Sequence, residues 1–289
     1  MKTEELRDKI TTSVIKLMEE NGADWVTPWA GAATGLPHNI SSKNHYNGIN
    51  VLLLLAAERT TGDWGTYKQW QEKGGQVRKG ESGTHIVFYK SLKVKDKETQ
   101  EEKKIPMMRN FTVFNADQVD GIEIDTPTEG AGETFHQGAL DAMIEDTSAI
   151  IRHGGAKAYF APSDDSIQMP LMEAFTGTDT STPEEAYYST LCHEMVHWTG
   201  HSSRLDRLKN GKHGGRDYAY EELIAELGAA FLGVEYGISS GPRADHAKYL
   251  NSWLKALKND NRLIFKAAAA ASRAVDHMRG YQLEAVKAA

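Results

Sequence analysis

Residues 182–200, TPEEAYYSTLCHEMVHWTG, constrain the fold more than any other stretch. They hold His193, Glu194 and His197 in an H-E-x-x-H pattern, which has chemical meaning only on a helix. Residues four apart stand one turn above each other on one face, so both imidazoles can reach one metal ion. Glu194, beside the first histidine, is then placed to take a proton from a water on that ion. The helix ends are also written in the sequence. Thr182 is an N-cap, Pro183 suits the first helical position and Glu185 completes a capping box. Glu184 and Glu185 favour the positive end of the helix dipole, and Gly200 supplies a stop.

The pattern is that of zinc peptidases, and a catalytic zinc takes three protein ligands and one water. The third ligand must come from elsewhere. The position six residues after His197, where metzincins carry a third histidine, is Ser203. His201 lies past the expected helix end, and His213 sits in a Gly-rich loop. A helix over residues 220–232 is the better source. Its Glu222 and Glu226 are four apart and share a face among Leu223, Ile224 and Leu227. Glu222 as ligand with Glu226 orienting a ligand histidine matches the thermolysin-like arrangement; the swapped assignment, with Glu226 as ligand, stays open. Glu221 is read as a solvated residue. One Zn2+ is the expected ion, with Mn2+ as an alternative. Tyr187, Tyr188, Tyr218 and Tyr220 are candidates to stabilise an oxyanion. A strand at residues 167–170, just before the metal helix, is either a core strand or an edge on which an extended peptide could pair.

The single cysteine, Cys192, excludes an intrachain disulfide and suits a reducing cytoplasm; it reads as a small buried thiol. The N-terminus has no apolar run of signal-peptide or membrane length, so no membrane partner is expected. Its Leu6, Ile10, Val14 and Leu17 repeat at helical spacing instead.

The net charge of −7 argues against nucleic acid, but it is unevenly spread. Residues 60–110 hold 11 Lys/Arg and 7 Asp/Glu, a net of +4. Residues 111–190 hold 2 Lys/Arg and 15 Asp/Glu, a net of −13. With 289 residues the chain can build two cores, and the expected class is α+β. A mixed α/β nucleic-acid-binding domain is assigned to residues 1–119 and a linker to the acidic Gly/Pro stretch 120–134. A mainly helical metallopeptidase domain with a small sheet fills residues 135–289. In the first half, residues 64–74 read as a short helix. THIVFYKSLKV and MRNFTVFNADQV read as strands.

Around these elements Trp64, Tyr67, Trp70, Phe88 and Tyr89 are interleaved with Lys68, Lys73, Arg78, Lys79 and Lys90. Single-stranded nucleic acid binds through stacking on aromatic faces and a cationic track for the phosphates, so these residues are its candidates. Trp as core and Lys as surface coat is the competing reading.

Several segments together resemble the ArdC-type antirestriction family. They are YNGIN (46–50), the Trp64-x-Thr66-Tyr67-Lys68-Gln69-Trp70 run and Gly75-x-Val77-Arg78-Lys79-Gly80-Glu81. In the second half they are HEMVHWTGH followed by Arg204-Leu205, EELIAELGAAFL (221–232) and HAKYLNSWLKALK (246–258). The resemblance spans nearly the whole chain. It implies an N-terminal single-stranded-DNA-binding domain, a C-terminal zincin-like domain and shielding of incoming plasmid DNA from host restriction during transfer. Related N-terminal domains also occur on plasmid primases. Host restriction machinery or another protein would be the peptidase substrate. Two other readings stay open: an intracellular metallopeptidase whose first half recognises a protein partner, and a DNA-binding module with a vestigial metal site.

Overall fold

The structure, a computed structural model, describes residues 3–22, 25, 35–95, 102–123, 135–178, 181–208, 216–238 and 246–288. Helix α1 (Thr3–Asn21) opens the chain. Leu6, Ile10 and Val14 are buried as their spacing predicts, but the fourth core position is Met18, with Leu17 only partly covered. Repeated steps of four turn the buried stripe gradually around the helix, so that it reaches Met18 rather than Leu17 at this end.

A four-stranded sheet follows, ordered β1 (His38–Asn39), β2 (Asp63–Gly65), β5 (Glu102–Asn115), β4 (Thr84–Lys95). β1 and β2 are parallel, and β5 is antiparallel to both β2 and β4. The β4–β5 ribbon pairs Thr84 with Val113 and continues to Lys95 with Glu102. Side chains alternate across it. Ile86 and Val113 bury on one face with Leu54 and Trp64, while Val87 and Met108 bury on the other in the main core. Helix α2 (Ile49–Leu55) packs on this ribbon, and the Asn50 amide holds the Val87 backbone with two 2.8 Å bonds.

The helix expected over residues 64–74 is shorter. Residues 63–65 pair as β2, Thr66 caps, and α3 runs only Tyr67–Glu72. Thr66 and Gln69 form a capping box, which fixes the start one residue before Tyr67. Behind α3, β3 (Gln76–Val77) and β6 (Val119–Asp120) make a second small ladder over Trp70, Val77, Ala116 and Val119.

The second half begins with α4 (Gln137–Asp146) and a three-stranded sheet. Its order is β7 (Ile150–His153), β9 (Ser166–Met169), β8 (Tyr159–Ala161). Four helices follow: α5 (Pro183–Thr199), α6 (Arg216–Tyr236), α7 (His246–Asn259) and α8 (Leu263–Ala288). α5 is buried along both its sides, from Tyr187 and Leu191 to Met195 and Trp198. A helix covered all round belongs to a core. Gly228 lets α6 approach it: a Cβ there would stand 2.6 Å from Val196.

The two sequence halves share one core. Leu6, Ile10 and Val14 of α1 and Val87 of β4 join the same cluster as Leu191, Leu227 and Trp253. Trp25 packs edge-on against Trp253 at 6.0 Å, and Thr11 Oγ1 donates to the Asn261 carbonyl at 2.9 Å. No described helix is long and apolar enough to cross a membrane.

Candidate functional site

α5 is built to hold its ends. The Thr182 hydroxyl accepts from the Glu185 amide at 3.1 Å, and the Glu185 carboxylate accepts from the Thr182 amide at 2.7 Å. At the other end, two arginines from the turn after Gly200 bond the last carbonyls. Arg204 Nε donates to Trp198 O at 2.7 Å, and Arg207 donates to Val196 O at 2.7 Å. Cations there satisfy carbonyls the helix leaves open and favour its negative end.

Between these ends the two histidines meet at Nε2 to Nε2 3.1 Å. Glu222 of α6 faces both. Its oxygens lie 3.4 Å from His193 Nε2 and 3.4 Å from His197 Nε2. A tetrahedral ion with bonds of about 2.0–2.1 Å needs donors about 3.3–3.4 Å apart, so this donor set has the spacing of a zinc triad. Among the described residues it is the group that offers three such donors.

Each histidine has a carboxylate behind it. Glu226 lies 2.9 Å from His193 Nδ1, and Glu221 lies 3.4 Å from His197 Nδ1. Carboxylates in that position fix the ring and its tautomer so that Nε2 points inward. Glu221, expected in solvent, is instead buried, and Arg207 neutralises it at 2.9 Å. A charge so placed needs a partner, and the guanidinium also ties it to Thr199 Oγ1. Glu194 is buried one residue along α5, and its charge acts on His197.

The electrostatics follow from this crowding. Burial works against a charged His197, but bonds to Glu221 and Glu222 and the charges of Glu194 and Glu222 outweigh it and push its pKa up to about 10. Burial likewise opposes ionised Glu222, yet the bonds to His193 and His197 hold its carboxyl well below the usual range. A metal must therefore displace a proton from His197 at neutral pH. Titration of the metal-free protein with Zn2+ at pH 7 is expected to release about one proton per ion, and uptake is expected to strengthen as pH rises towards the raised His197 value. Calorimetry in two buffers of different protonation enthalpy measures this, and zero release at pH 7 would contradict it.

Of the four tyrosines, Tyr218 stands beside Tyr249, and burial, with the neighbouring Tyr249 and Glu222, raises its hydroxyl pKa and keeps it protonated. Tyr188 is committed to Asp141 at 2.7 Å, and Tyr187 to His153 at 2.8 Å. Burial is the main influence on Tyr220 and raises its hydroxyl pKa. His201 bonds Ser203 at 2.8 Å, outside the cluster, and His213 lies outside the described residues. The strand 167–169 is no edge: β9 is central, paired with β7 on one side and β8 on the other.

The first half also differs from its sequence reading. Trp64 and Trp70, expected to stack on bases, are each 1 % exposed. Trp70 Nε1 donates to Phe114 O at 3.0 Å, so its polar edge is spent inside the protein. Tyr67 is open to solvent, and Lys68, Lys73 and Lys79 line the exposed surface. Arg78 is exposed but is bound to Glu81 at 2.8 Å and to Asp117 O at 2.6 Å. The Lys90 side chain lies outside the described residues. A different platform stands out: Phe88, 53 % exposed, and Phe111, 41 % exposed, sit edge to face at 6.2 Å on one face of the β4–β5 ribbon. Arg109, directly across from Phe88, is exposed beside them. Strand alternation was the available signal, since Phe88 and Tyr89 must point to opposite faces.

Two family models match the chain. The N-terminal domain of anti-restriction factor ArdC matches residues 4–114, and a zincin-like metallopeptidase matches residues 138–270. The metal-free crystal structure of the antirestriction ArdC protein of plasmid R388 has a TM-score of 0.80 and 38% identity, covering 96% of this chain and 98% of that one. The chain belongs to the ArdC antirestriction family. The Mn(II)-bound form of the R388 ArdC protein matches with a TM-score of 0.73 and 36% identity, covering 96% and 97% of the two chains. A y4eC protein of Sinorhizobium fredii is 36% identical over 97% of this chain and 94% of its own length. Two Escherichia coli DNA primases called TraC are 35% and 34% identical over 97% and 96% of this ArdC-family chain, which spans only 27% and 20% of their lengths. The two-domain α+β architecture with a zincin-like half is therefore that of the family.

Proposed function

We propose that this chain binds single-stranded DNA and protects incoming plasmid DNA from host restriction during conjugation, and that its second half is a zinc metallopeptidase acting in the cytoplasm. The observation that carries the peptidase reading is the buried triad of His193, His197 and Glu222 with donors 3.1–3.4 Å apart. These three would hold one Zn2+, with Mn2+ as the alternative that the R388 protein's bound form supports. Glu226 orients His193, and Glu221, clamped by Arg207, orients His197.

A divalent ion in such a site supplies Lewis acidity toward a peptide carbonyl and makes a water easier to deprotonate. Glu194 takes the proton of the attacking water and returns it to the leaving amine. Tyr218, whose hydroxyl burial keeps protonated, would turn its one proton from Glu222 to the oxyanion as the carbonyl becomes tetrahedral.

DNA is the proposed partner of the first half. Its likeness to the ArdC N-terminal domain, and the recurrence of the sequence in DNA primases, support this reading. Phe88, Phe111 and Arg109 offer the stacking faces and a cation in one patch. Fluorescence anisotropy with a labelled single-stranded oligonucleotide tests it. Affinity is expected to fall with salt, with Phe111→Ala costing about 5–150-fold and Arg109→Ala flattening the salt slope by about 0.7. Absence of binding by the unaltered protein at low salt would sink the DNA reading.

A further inference from the structure

A cavity of about 250 Å³ opens between the Asn47–Asn50 turn, β4 and α8, where the two sequence halves meet. Gly48 shapes its floor. Its φ of 61° and ψ of −136° suit glycine alone, and α8 lies in ordinary contact range of it at Ala269. The Gly48 amide donates to Ser272 Oγ at 2.8 Å, which pins the turn to α8. The cavity is thus held open by built contacts.

Its lining is of mixed chemistry. Tyr89 and Phe265 put two aromatic rings in it, 6.4 Å apart and nearly perpendicular. Tyr89 is 47 % exposed, an unusual state for a ring packed on a core residue. Arg273 reaches the same cavity from α8, is exposed, and has no ion pair among the described residues. Burial raises the Tyr89 hydroxyl pKa, and the nearby charge of Arg7 of α1 opposes that rise. The one carboxylate, Asp276, is already paired with Arg279 at 3.2 Å. Asn47 adds an exposed amide.

The geometry points to a nucleotide subsite: one unstacked base of a single-stranded DNA lodges against Tyr89 and Phe265, and its phosphate is met by Arg273. Rings for the base and guanidinium groups for the phosphate are what such a unit needs. Phe88 and Tyr89 are adjacent on β4 but point to opposite faces, and β4 is the outer strand of its sheet, so the platform and the cavity meet only around that edge. A single strand that turns around the β4 edge would touch the Phe88–Phe111 face and then the cavity. The subsite rests on the single-stranded-DNA reading, and it draws the second half of the chain into the DNA site through α8.

The test uses the full-length chain and a labelled oligothymidylate in fluorescence anisotropy, with Tyr89→Ala, Arg273→Gln and Arg273→Lys. Tyr89→Ala is expected to weaken binding about 5–150-fold. Arg273→Gln is expected to lower the salt slope by about 0.7, with Arg273→Lys largely restoring it. Thermal melting and metal content should be unchanged in the Arg273 variants, since that side chain is exposed. Competition with thymidine monophosphate separates the two sources of a nucleotide. Displacement only by the oligonucleotide supports a strand-borne unit, and displacement of the oligonucleotide by micromolar monophosphate would overturn that in favour of a free-nucleotide site. If the unaltered protein binds the oligonucleotide and Tyr89→Ala and Arg273→Gln bind it equally well, the subsite is refuted while the DNA reading stands. If the unaltered protein does not bind at low salt, the DNA reading itself falls.

Discussion

Glu194→Ala is expected to retain one metal ion per chain and to lose peptide hydrolysis by about 10²–10⁴-fold, the ordinary contribution of a positioned general base. The retention follows from the donor set. His193, His197 and Glu222 supply the ligand atoms, and Glu194 is not among them. The loss follows from position, because Glu194 is buried beside His193 and its charge already acts on His197. The variant should be prepared with Zn2+ and its metal content measured before activity, so that a lost ion is not mistaken for a lost base. Hydrolysis at the unaltered rate would remove Glu194 from the chemistry. The same variant separates the halves: if antirestriction is unchanged while hydrolysis is gone, DNA binding alone protects.

Trp70→Ala is expected to cost about 3–5 kcal/mol of stability, whereas Phe111→Ala is expected to cost little. Trp70 is 1 % exposed and its ring NH is bonded to Phe114 O, so truncation leaves both a cavity and an unpaired carbonyl. Phe111 is largely open, so its removal should be felt in DNA affinity and hardly in melting. Chemical denaturation of the two variants decides this. A Trp70→Ala protein that melts like the parent yet loses oligonucleotide binding would return Trp70 to the DNA surface.

These two residues show what the sequence could carry. The metal helix was legible because its caps, its two histidines and its stop are all local signals, and Thr182, Glu185 and Gly200 occupy the expected places. The β4–β5 ribbon was legible from its β-branched and aromatic runs. Its second strand, however, begins earlier than the MRNFTVFNADQV run, at Glu102, and ends at Asn115, before the short helical turn Ala116–Gln118. Burial of the tryptophans was not, because spacing of three along residues 64–70 says nothing about which ring meets a neighbouring sheet. The sequence leaves open whether β9 is a core strand or an edge, because sheet order depends on a parallel crossover from β7 that no local pattern encodes. Glu221 was misread for a subtler reason. On α6 it lies next to Glu222 but about 100° around the helix from it, so it looks solvated until Arg207, 14 residues earlier, is seen to reach it. The motif HEMVHWTGH followed by Arg204 marked that turn without revealing that Arg207 does the holding.

The measurement closest to the centre of the proposal is the zinc affinity of Glu222→Ala beside the unaltered protein and Glu194→Ala. A full ligand set contributes about 10–16 kcal/mol, so loss of one ligand should weaken binding by about 10²–10³-fold. Elemental analysis after dialysis against a competing chelator is expected to find one ion in the unaltered protein and in Glu194→Ala, and little in Glu222→Ala. Equal stoichiometry and affinity in Glu222→Ala would contradict the triad and move the third ligand to Glu226 or another residue.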